Sequence, residues 1–407
     1  MQHRIVVLGA GYAGAVAAGR LARRLHRDEV AITLVNTEAD FVERVRMHQL
    51  AVGQELQPRP FGEMFAGTGV ELKLAEVTAV DVDRKTVTVL DAYGTEEALE
   101  YDTLVYALGS RWNDQAVPGT AEHADQIASR PGALRLRERL ARLDGGQPVL
   151  VVGGGLTGLE AATEIAEARP DLDVALAARG ELGDWLSPKG RRHLRKVFDR
   201  LGITVHEHAD VTAVGADHVT TADGTAVPAA ITVWTTGFAV RPIARATTLD
   251  VTDTGRIVVD RSMRSVSHPD VYAIGDAALA MGPGDEPLRM SCATGTPMAW
   301  QAADAIAARL TGGNVPRTLM RYFNQCISLG RREGLIQYVT ADDRAVRAVL
   351  TGRFAAGYKE LVCKGAAWGV ANPLLGLPSR RRHLVRELAG AAAGRDRSGA
   401  EGVRVSP

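Results

Sequence analysis

RIVVLGAGYAG at residues 4–14 runs from a short apolar stretch into three glycines, Gly9, Gly11 and Gly14, and continues into the alanine-rich AVAAGRLARRL. That order is the signature of a buried strand, a tight turn and a helix. A second apolar run, VAITLV at 30–35, completes a unit of about 30 residues. The same grammar returns at 148–168, PVLVVGGGLTGLEAATEIAEA, where Gly153, Gly155 and Gly158 take the glycine places, and VALAA at 174–178 supplies the next strand. In such a loop the first glycine makes the turn, the second lets a pyrophosphate approach the backbone, and the third lets helix and strand pack closely. The phosphates then meet the positive end of the helix.

The repetition extends beyond the loops. AEVTAVD at 75–81, KTVTVL at 85–90 and YDTLVYALGS at 101–110 follow the first unit; ADVTAVG at 209–215, HVTTADG at 218–224 and AAITVWTTGF at 229–238 follow the second. The chain therefore reads as α/β, with two Rossmann-like dinucleotide-binding domains related by internal duplication. Each copy has a parallel βαβ core, a small antiparallel meander and a last strand ending in a glycine turn. Residues 113–147 read as a mostly helical linker, with LRLRERLARL ending at Gly145-Gly146. KGRRHLRKVFDRLG at 189–202 predicts a helix that buries Leu194, Val197, Phe198 and Leu201 and stops at Gly202. From 316 the pattern turns β-like in LGRREGLIQYV, a small α+β C-terminal region is expected, and 395–407 has the composition of a disordered tail.

At 407 residues and 46% hydrophobic composition, the chain has apolar material for two or three domains. Lysine plus arginine and aspartate plus glutamate both total 48, so no overall field recruits nucleic acid, and small molecules are the expected partners. Cys292, Cys326 and Cys363 are too few for a disulfide framework or a zinc cluster, which points to a reducing, cytoplasmic setting. MQHRIVVLGAGYAG lacks the continuous apolar core of a signal peptide, and no stretch approaches the roughly 18 apolar residues of a membrane helix. The expectation is a monomer or homodimer that at most rests on a membrane surface.

The residue that ends the second strand of such a unit contacts the adenosine ribose, and an acid there prefers an unphosphorylated ribose. Asn36 holds that place in the first copy, with Glu38 two residues on. The second copy ends Ala177-Ala178-Arg179 with no acid. Arg179 reads either as a partner for a 2′-phosphate, favouring NADPH, or as a solvent-facing side chain.

Beyond both units, SHPDVYAIGDAA at 267–278 adds a third feature. Together with GAGYAG, LVYALGS, GGGLTGLE and WTTGF, in order from about residue 4 to 310, it resembles the flavoproteins with two dinucleotide-binding domains. That family includes pyridine nucleotide-disulfide reductases, type II NADH dehydrogenases, apoptosis-inducing-factor-like reductases and ferredoxin reductases. The resemblance implies FAD on Gly9, Gly11 and Gly14, and NAD(P)H on Gly153, Gly155 and Gly158. It also places Gly275 and Asp276 at the FAD ribitol and Glu160 near the nicotinamide end. Further cofactor contacts are expected at Ala13, Asn36, Glu38, Arg44, Val77, Ala107, Gly109, Leu156, Arg179 and Gly237.

The implied division is an FAD-binding domain at 1–112 and 241–315, an NAD(P)-binding domain inserted at 113–240, and a C-terminal region at 316–394 covering the flavin. No cysteine pair follows the first unit, so thiol relay and sulfide oxidation are not expected. FVERVRMHQ at 41–49 instead puts Arg44, Arg46 and His48 near the flavin, a polar departure from the apolar segment of type II dehydrogenases. His48, Glu160, Cys292 and Lys359 are the residues expected to act in the chemistry. His48 reads as a hydrogen-bonding, structural or flavin-tethering residue, and Cys292 as a thiol near the flavin or an inert buried one. Tyr358 and Lys359 read as lining the acceptor pocket or as surface positions of a helix. The basic segment PSRRRHLVRELAGAAAG at 378–394 is short of large apolar residues for membrane docking. The expected activity is hydride transfer from NAD(P)H to FAD and then to a quinone or similar small electron acceptor. The alternatives are a reductase feeding a protein such as a ferredoxin and a low-turnover flavin-bearing sensor.

Overall fold

The computed structural model describes residues 2–315, 320–374 and 380–385. The apolar run at the start is the strand His3–Leu8, the middle of a five-stranded sheet. Its spatial order is Val271–Ala273, Thr103–Tyr106, His3–Leu8, Val30–Asn36 and Val70–Leu74, all parallel. The helices Tyr12–Arg24 and Cys292–Thr311 pack together against the sheet and Val77, Val80, Val87 and Val89 of an antiparallel meander join the same core, so Ile5, Val7, Leu8, Leu104 and Val105 are all buried with no polar alternation. The second sheet repeats this plan around Pro148–Val152, in the order Thr204–His206, Asp173–Ala177, Pro148–Val152, Ile231–Trp234 and Ala124–Asp125.

The two helices that leave the glycine loops, Tyr12–Arg24 and Leu156–Ala168, begin on Gly11 and Gly155 without a side-chain cap. Their first N–H groups are therefore left for something other than the chain itself. Each unit carries its three-stranded antiparallel meander: Glu76–Asp81, Thr86–Leu90 and Glu96–Glu100 in the first; Val211–Val214, His218–Thr221 and Ala226–Pro228 in the second. Val271–Ala273 joins the first sheet after the chain has completed the second, so the second unit is inserted into the first. The two crossings pair with each other, Ser110–Trp112 against Phe238–Val240.

The stretch 113–147 differs from its expectation. Its one long helix is Arg130–Ala141, started by Ser129 accepting from the Gly132 N–H at 3.2 Å and ending four residues before Gly145. Upstream, Gly119 turns with a φ of +77° and Ala124–Asp125 becomes the edge strand of the second sheet, anchored by Asp125 to Arg139 at 2.6 Å. The basic helix Pro188–Arg200 buries Leu194, Val197 and Phe198, while Leu201 is its half-buried cap.

After the second unit the chain returns through the helix Cys292–Thr311 to an antiparallel sheet, Asn324–Ser328, Gly334–Val339 and Ala345–Thr351, and the helix Arg353–Ala371. LGRREGLIQYV is thus a turn over 329–333 followed by a strand. This region bridges the units: Ile327, Leu329 and Leu335 pack into the core of the second, Ala367 and Val370 into that of the first. The basic segment beyond 385 and the tail at 395–407 lie outside the described residues.

Candidate dinucleotide and redox site

The glycines of each loop divide the work. Gly9 has a φ of +90° and Gly153 of +126°, a region closed to side chains. A Cβ on Gly14 would strike the Gly9 carbonyl, and one on Gly158 the Gly153 carbonyl. Gly11 and Gly155 have open space where their Cβ would stand. Open space, uncapped N–H groups and a positive helix end form a cradle of the right chemistry for a pyrophosphate in both units. Leu156 and Ala13 sit in the first turns of these helices.

The strand ends differ. Asn36 Oδ1 accepts from the Ala10 N–H at 3.0 Å and its Nδ2 donates to the Glu38 carbonyl at 2.9 Å, so this side chain fastens the loop to the strand. A cleft beside it is lined by Gly9, Asn36, Val77, Leu108 and Arg241. In the second unit Ala178 stands at the equivalent place, close enough to Gly154 that a Cβ there would lie 2.9 Å from the Ala178 methyl. Arg179 Nε meets Asp210 Oδ1 at 3.2 Å on an exposed surface.

Gly275 has a φ of +67°, and a Cβ on it would lie 3.3 Å from that of Ala13. The third motif therefore reaches the first loop and not the second. Asp276 Oδ2 accepts from the Ser110 hydroxyl at 2.6 Å, and the Ser110 carbonyl accepts from Arg44 Nη1 at 3.0 Å. Burial pushes the Arg44 guanidinium down, with Asp276 opposing, and its charge lies 5.8 Å from the centre of the Phe238 ring. Ala107 backs Gly9, and Gly109 makes the left-handed turn into Ser110 with a φ of +65°. Ser110 was not anticipated; a hydroxyl directly after the glycine of LVYALGS was the available signal. Gly237, with a φ of +68°, is the matching turn of the second unit.

A second cluster joins the two halves of the molecule. Lys359 Nζ lies 2.9 Å from Glu160 Oε1, with side chains 14% and 6% exposed. Lys359 is therefore not a surface position of its helix. The ammonium also donates to the Cys326 carbonyl at 3.0 Å, and the Ser328 N–H donates to Glu160 Oε1 at 3.0 Å. Burial alone would lower the Lys359 pKa; the adjacent Glu160 carboxylate holds it above the ordinary lysine value. His48 Nδ1 stands 3.8 Å from Glu160 Oε2, and burial lowers its pKa to about 4, so a neutral imidazole faces the carboxylate at pH 7. Its Nε2 has no hydrogen-bond partner among the described residues. Next to this group, Arg331 pairs with Glu164 at 2.8 Å.

The polar segment 41–49 thus does not present one face. Arg44–Arg46 is a single 3₁₀ turn and Met47–Ala51 a short helix, which sends alternate side chains in different directions. Arg44 joins Ser110 and Asp276, His48 joins Glu160, and Arg46 pairs with Glu43 at 3.1 Å and Glu360 at 3.0 Å. Cys292 starts the helix Cys292–Thr311 and burial raises its thiol; Cys326 is raised to about 11 for the same reason. Both are protonated at neutral pH, which makes them poor nucleophiles. Tyr358 accepts from Asn324 Nδ2 at 3.0 Å at the surface. Among the described residues no group of His, Cys, Asp and Glu could hold a metal ion, and no helix is long and apolar enough to cross a membrane.

Residues 3–307 match the family model of the pyridine nucleotide-disulphide oxidoreductases. An NADH dehydrogenase-like protein of Mycobacterium tuberculosis is 32% identical over 320 residues, covering 72% of this chain and 78% of that protein. The demethylphylloquinone reductase of Synechocystis is 28% identical over 290 residues, covering 68% and 72%. Among solved structures, NDH2 of Plasmodium falciparum in complex with NADH shares the fold at a TM-score of 0.75 and 14% identity, covering 92% of this chain and 97% of its own. Two βαβ units in sequence and in space, with the third motif returning to the first, agree with these matches, and the chain belongs to the pyridine nucleotide-disulphide oxidoreductase family as an NADH dehydrogenase-like oxidoreductase.

Proposed function

We propose that the chain is an FAD-dependent NAD(P)H oxidoreductase that passes electrons to a quinone or similar small acceptor. The observation that carries this reading is the unequal completion of two equal cradles: the Gly275-Asp276 turn is built against Ala13 of the first loop alone. On this reading Gly9, Gly11, Gly14, Asn36 and Asp276 hold FAD. Gly153, Gly155 and Gly158 hold the nicotinamide dinucleotide. The flavin supplies the hydride-accepting, electron-passing chemistry when bound.

The chain's own part is binding, orientation and charge. Asn36 fixes the shape of the first loop through the Ala10 N–H. Ser110 orients the Asp276 carboxylate, and Arg44 places a half-buried positive charge beside it, which favours electron-rich groups at that point. Lys359, Glu160 and His48 place a carboxylate, an ammonium and a neutral imidazole where the second loop's helix meets the C-terminal region. These groups can hold a proton away from bulk water, the role a redox site needs where reduction of an acceptor takes up protons. Cys292 and Cys326, both protonated, serve as packing groups here rather than as thiol relays. The names of the relatives, a quinone reductase among them, support a quinone as the acceptor class. The proposed division of the chain follows: 1–112 with 241–315 for FAD, 113–240 for the nicotinamide, and 316–394 over the flavin.

Anaerobic titration of the purified yellow protein with NADH and with NADPH tests this reading. Bleaching of the flavin absorbance by either, and its return on adding a soluble quinone, is expected. If neither nicotinamide bleaches the flavin, the proposal is wrong.

A further inference from the structure

We infer that the outer face of the helix Arg353–Ala371 is the contact surface of a symmetric pair, its occupant the same helix of a second copy running antiparallel. The helix is two-sided. Its inner side carries Cys363, Ala367 and Val370 into the body of the molecule, with Lys359 among them. On the other side Phe354, Leu361 and Trp368 are 84%, 69% and 53% exposed, and Tyr358 and Val362 stand beside them. At about 100° per residue these five fall in one arc that contains no charged side chain.

Nothing among the described residues covers this arc. It exposes about 600 Å² of mostly apolar surface, so a symmetric pair buries about 1,200 Å², the lower end of what a specific interface needs. The arc is also notched. Gly357, Gly365 and Gly369 lie in it with open space where a Cβ would stand, so the packing of the single chain does not require them. Glycine inside a helix lowers its stability, and on a helix face it lets another helix come close.

The order of large and small residues selects the occupant. Phe354 and Tyr358 stand one turn apart in the first half of the helix, and Gly365 and Gly369 stand one turn apart in the second. With a twofold axis between Leu361 and Val362, Tyr358 falls opposite Gly365 of the second copy and Phe354 opposite its Gly369. Both contacts recur on the far side of the axis, as they must where one patch meets itself. A lipid surface would take up the apolar side chains but gives no reason for notches at the matching spacing. Charge agrees with the pairing. Glu360 and Lys364 lie on one edge of the arc and pair at 3.3 Å within the chain, and the twofold sets that edge against its own reverse, each carboxylate near the other copy's ammonium. Lys359 rides on this helix, so the pair braces it from the side opposite Glu160.

Sedimentation velocity of the full-length chain, purified with whatever flavin it carries, tests the inference over concentrations from about 1 to 100 μM. A shift from monomer to dimer across this range is expected, the affinity of a small interface. Leu361→Arg sets two like charges beside the axis and should leave only monomer. Gly365→Met fills the notch opposite Tyr358 and should weaken the dimer at least about tenfold. Both positions are exposed, so both variants should keep the circular dichroism and flavin content of the wild type. A wild-type chain that stays monomeric at the highest concentration overturns the inference, and its flotation with phosphatidylglycerol vesicles would give the face to a lipid surface instead. A dimer that survives both substitutions overturns the surface assigned to it.

Discussion

The two glycine units share an order of elements, a strand register and a pattern of open and closed glycines, yet their flanks are opposite in character. Two residues after the last loop glycine, the first unit has Val16, buried in the core, while the second has Glu160, buried against Lys359. At the strand end the first has Asn36 bonded to its own loop, while the second has Ala178 and an exposed arginine. One loop is packed, fastened and closed by a third motif from a distant part of the chain. The other keeps its rim in solvent and its charged groups paired to the C-terminal region. On the proposed reading, a tightly held cofactor and an exchanging one ask for these two settings, and a few side chains flanking one repeated unit supply both.

The sharpest way to break the comparison is to alter glycines that the two loops treat alike. Gly14→Val and Gly158→Val each drive a side chain into a backbone carbonyl, and both should cost more than about 4 kcal/mol or leave no folded protein, read by solubility and circular dichroism. Gly11→Val and Gly155→Val point into open space and should fold with wild-type circular dichroism, Gly11→Val with the Tm of flavin-free wild type. A folded Gly14→Val protein would contradict the packing described for the loops.

Next in size is the buried pair that only the second unit has. Lys359→Met leaves the Glu160 carboxylate without its cation and should lower unfolding stability by about 3–5 kcal/mol in urea. Adding Glu160→Gln to that variant should restore most of the loss, because the uncompensated charge is then gone. If the double variant is no better than the single one, burial of charge is not what the pair manages.

His48 gives this cluster a pH signature. Burial lowers its folded pKa to about 4 from the 6.5 of an ordinary imidazole, so the unfolded chain binds a proton that the folded chain refuses. Its contribution to stability is present above pH 6.5 and falls as the pH drops toward 4, with a slope of up to about 1.4 kcal/mol per pH unit. His48→Gln should flatten the unfolding free energy over that window; an unchanged slope would assign it to other groups. The smallest effect belongs to the first loop: Asn36→Ala removes the acceptor of the Ala10 N–H and should cost about 1 kcal/mol, with FAD affinity reduced by roughly fivefold.

The alternation of apolar runs and glycines was enough to place the parallel core of each sheet, while the outer strands Val70–Leu74, Thr204–His206 and Val271–Ala273 were not read, because strand, turn and helix in a βαβ unit are specified within about 30 neighbouring residues and the outer strands are not. The edge strand Ala124–Asp125 was not readable that way: two residues long, it exists because Ile231–Trp234 offers it a free edge. The same distinction runs through the site. Gly9, Gly14, Gly153 and Gly158 are demanded by local backbone geometry and stand out in the sequence. Lys359 and Glu160 are brought together across 199 positions, so the helix pattern around Lys359 could not distinguish a buried ammonium from an exposed one. The polar segment at 41–49 shows the converse, since three charged or ionisable side chains close in sequence are parted by a single 3₁₀ turn. Arg179 stayed ambiguous for another reason: its partner Asp210 lies on a different strand end, and a surface arginine looks the same in sequence whether or not it waits for a ligand.

The central claim is that two similar cradles hold different cofactors, and flavin content measured on Gly11→Val beside Gly155→Val tests it most directly. The first variant should purify colourless. The second should purify yellow with full flavin content, and its absorbance should fail to bleach when NADH or NADPH is added without oxygen. A yellow Gly11→Val protein, or a colourless Gly155→Val protein that remains folded, would contradict the assignment.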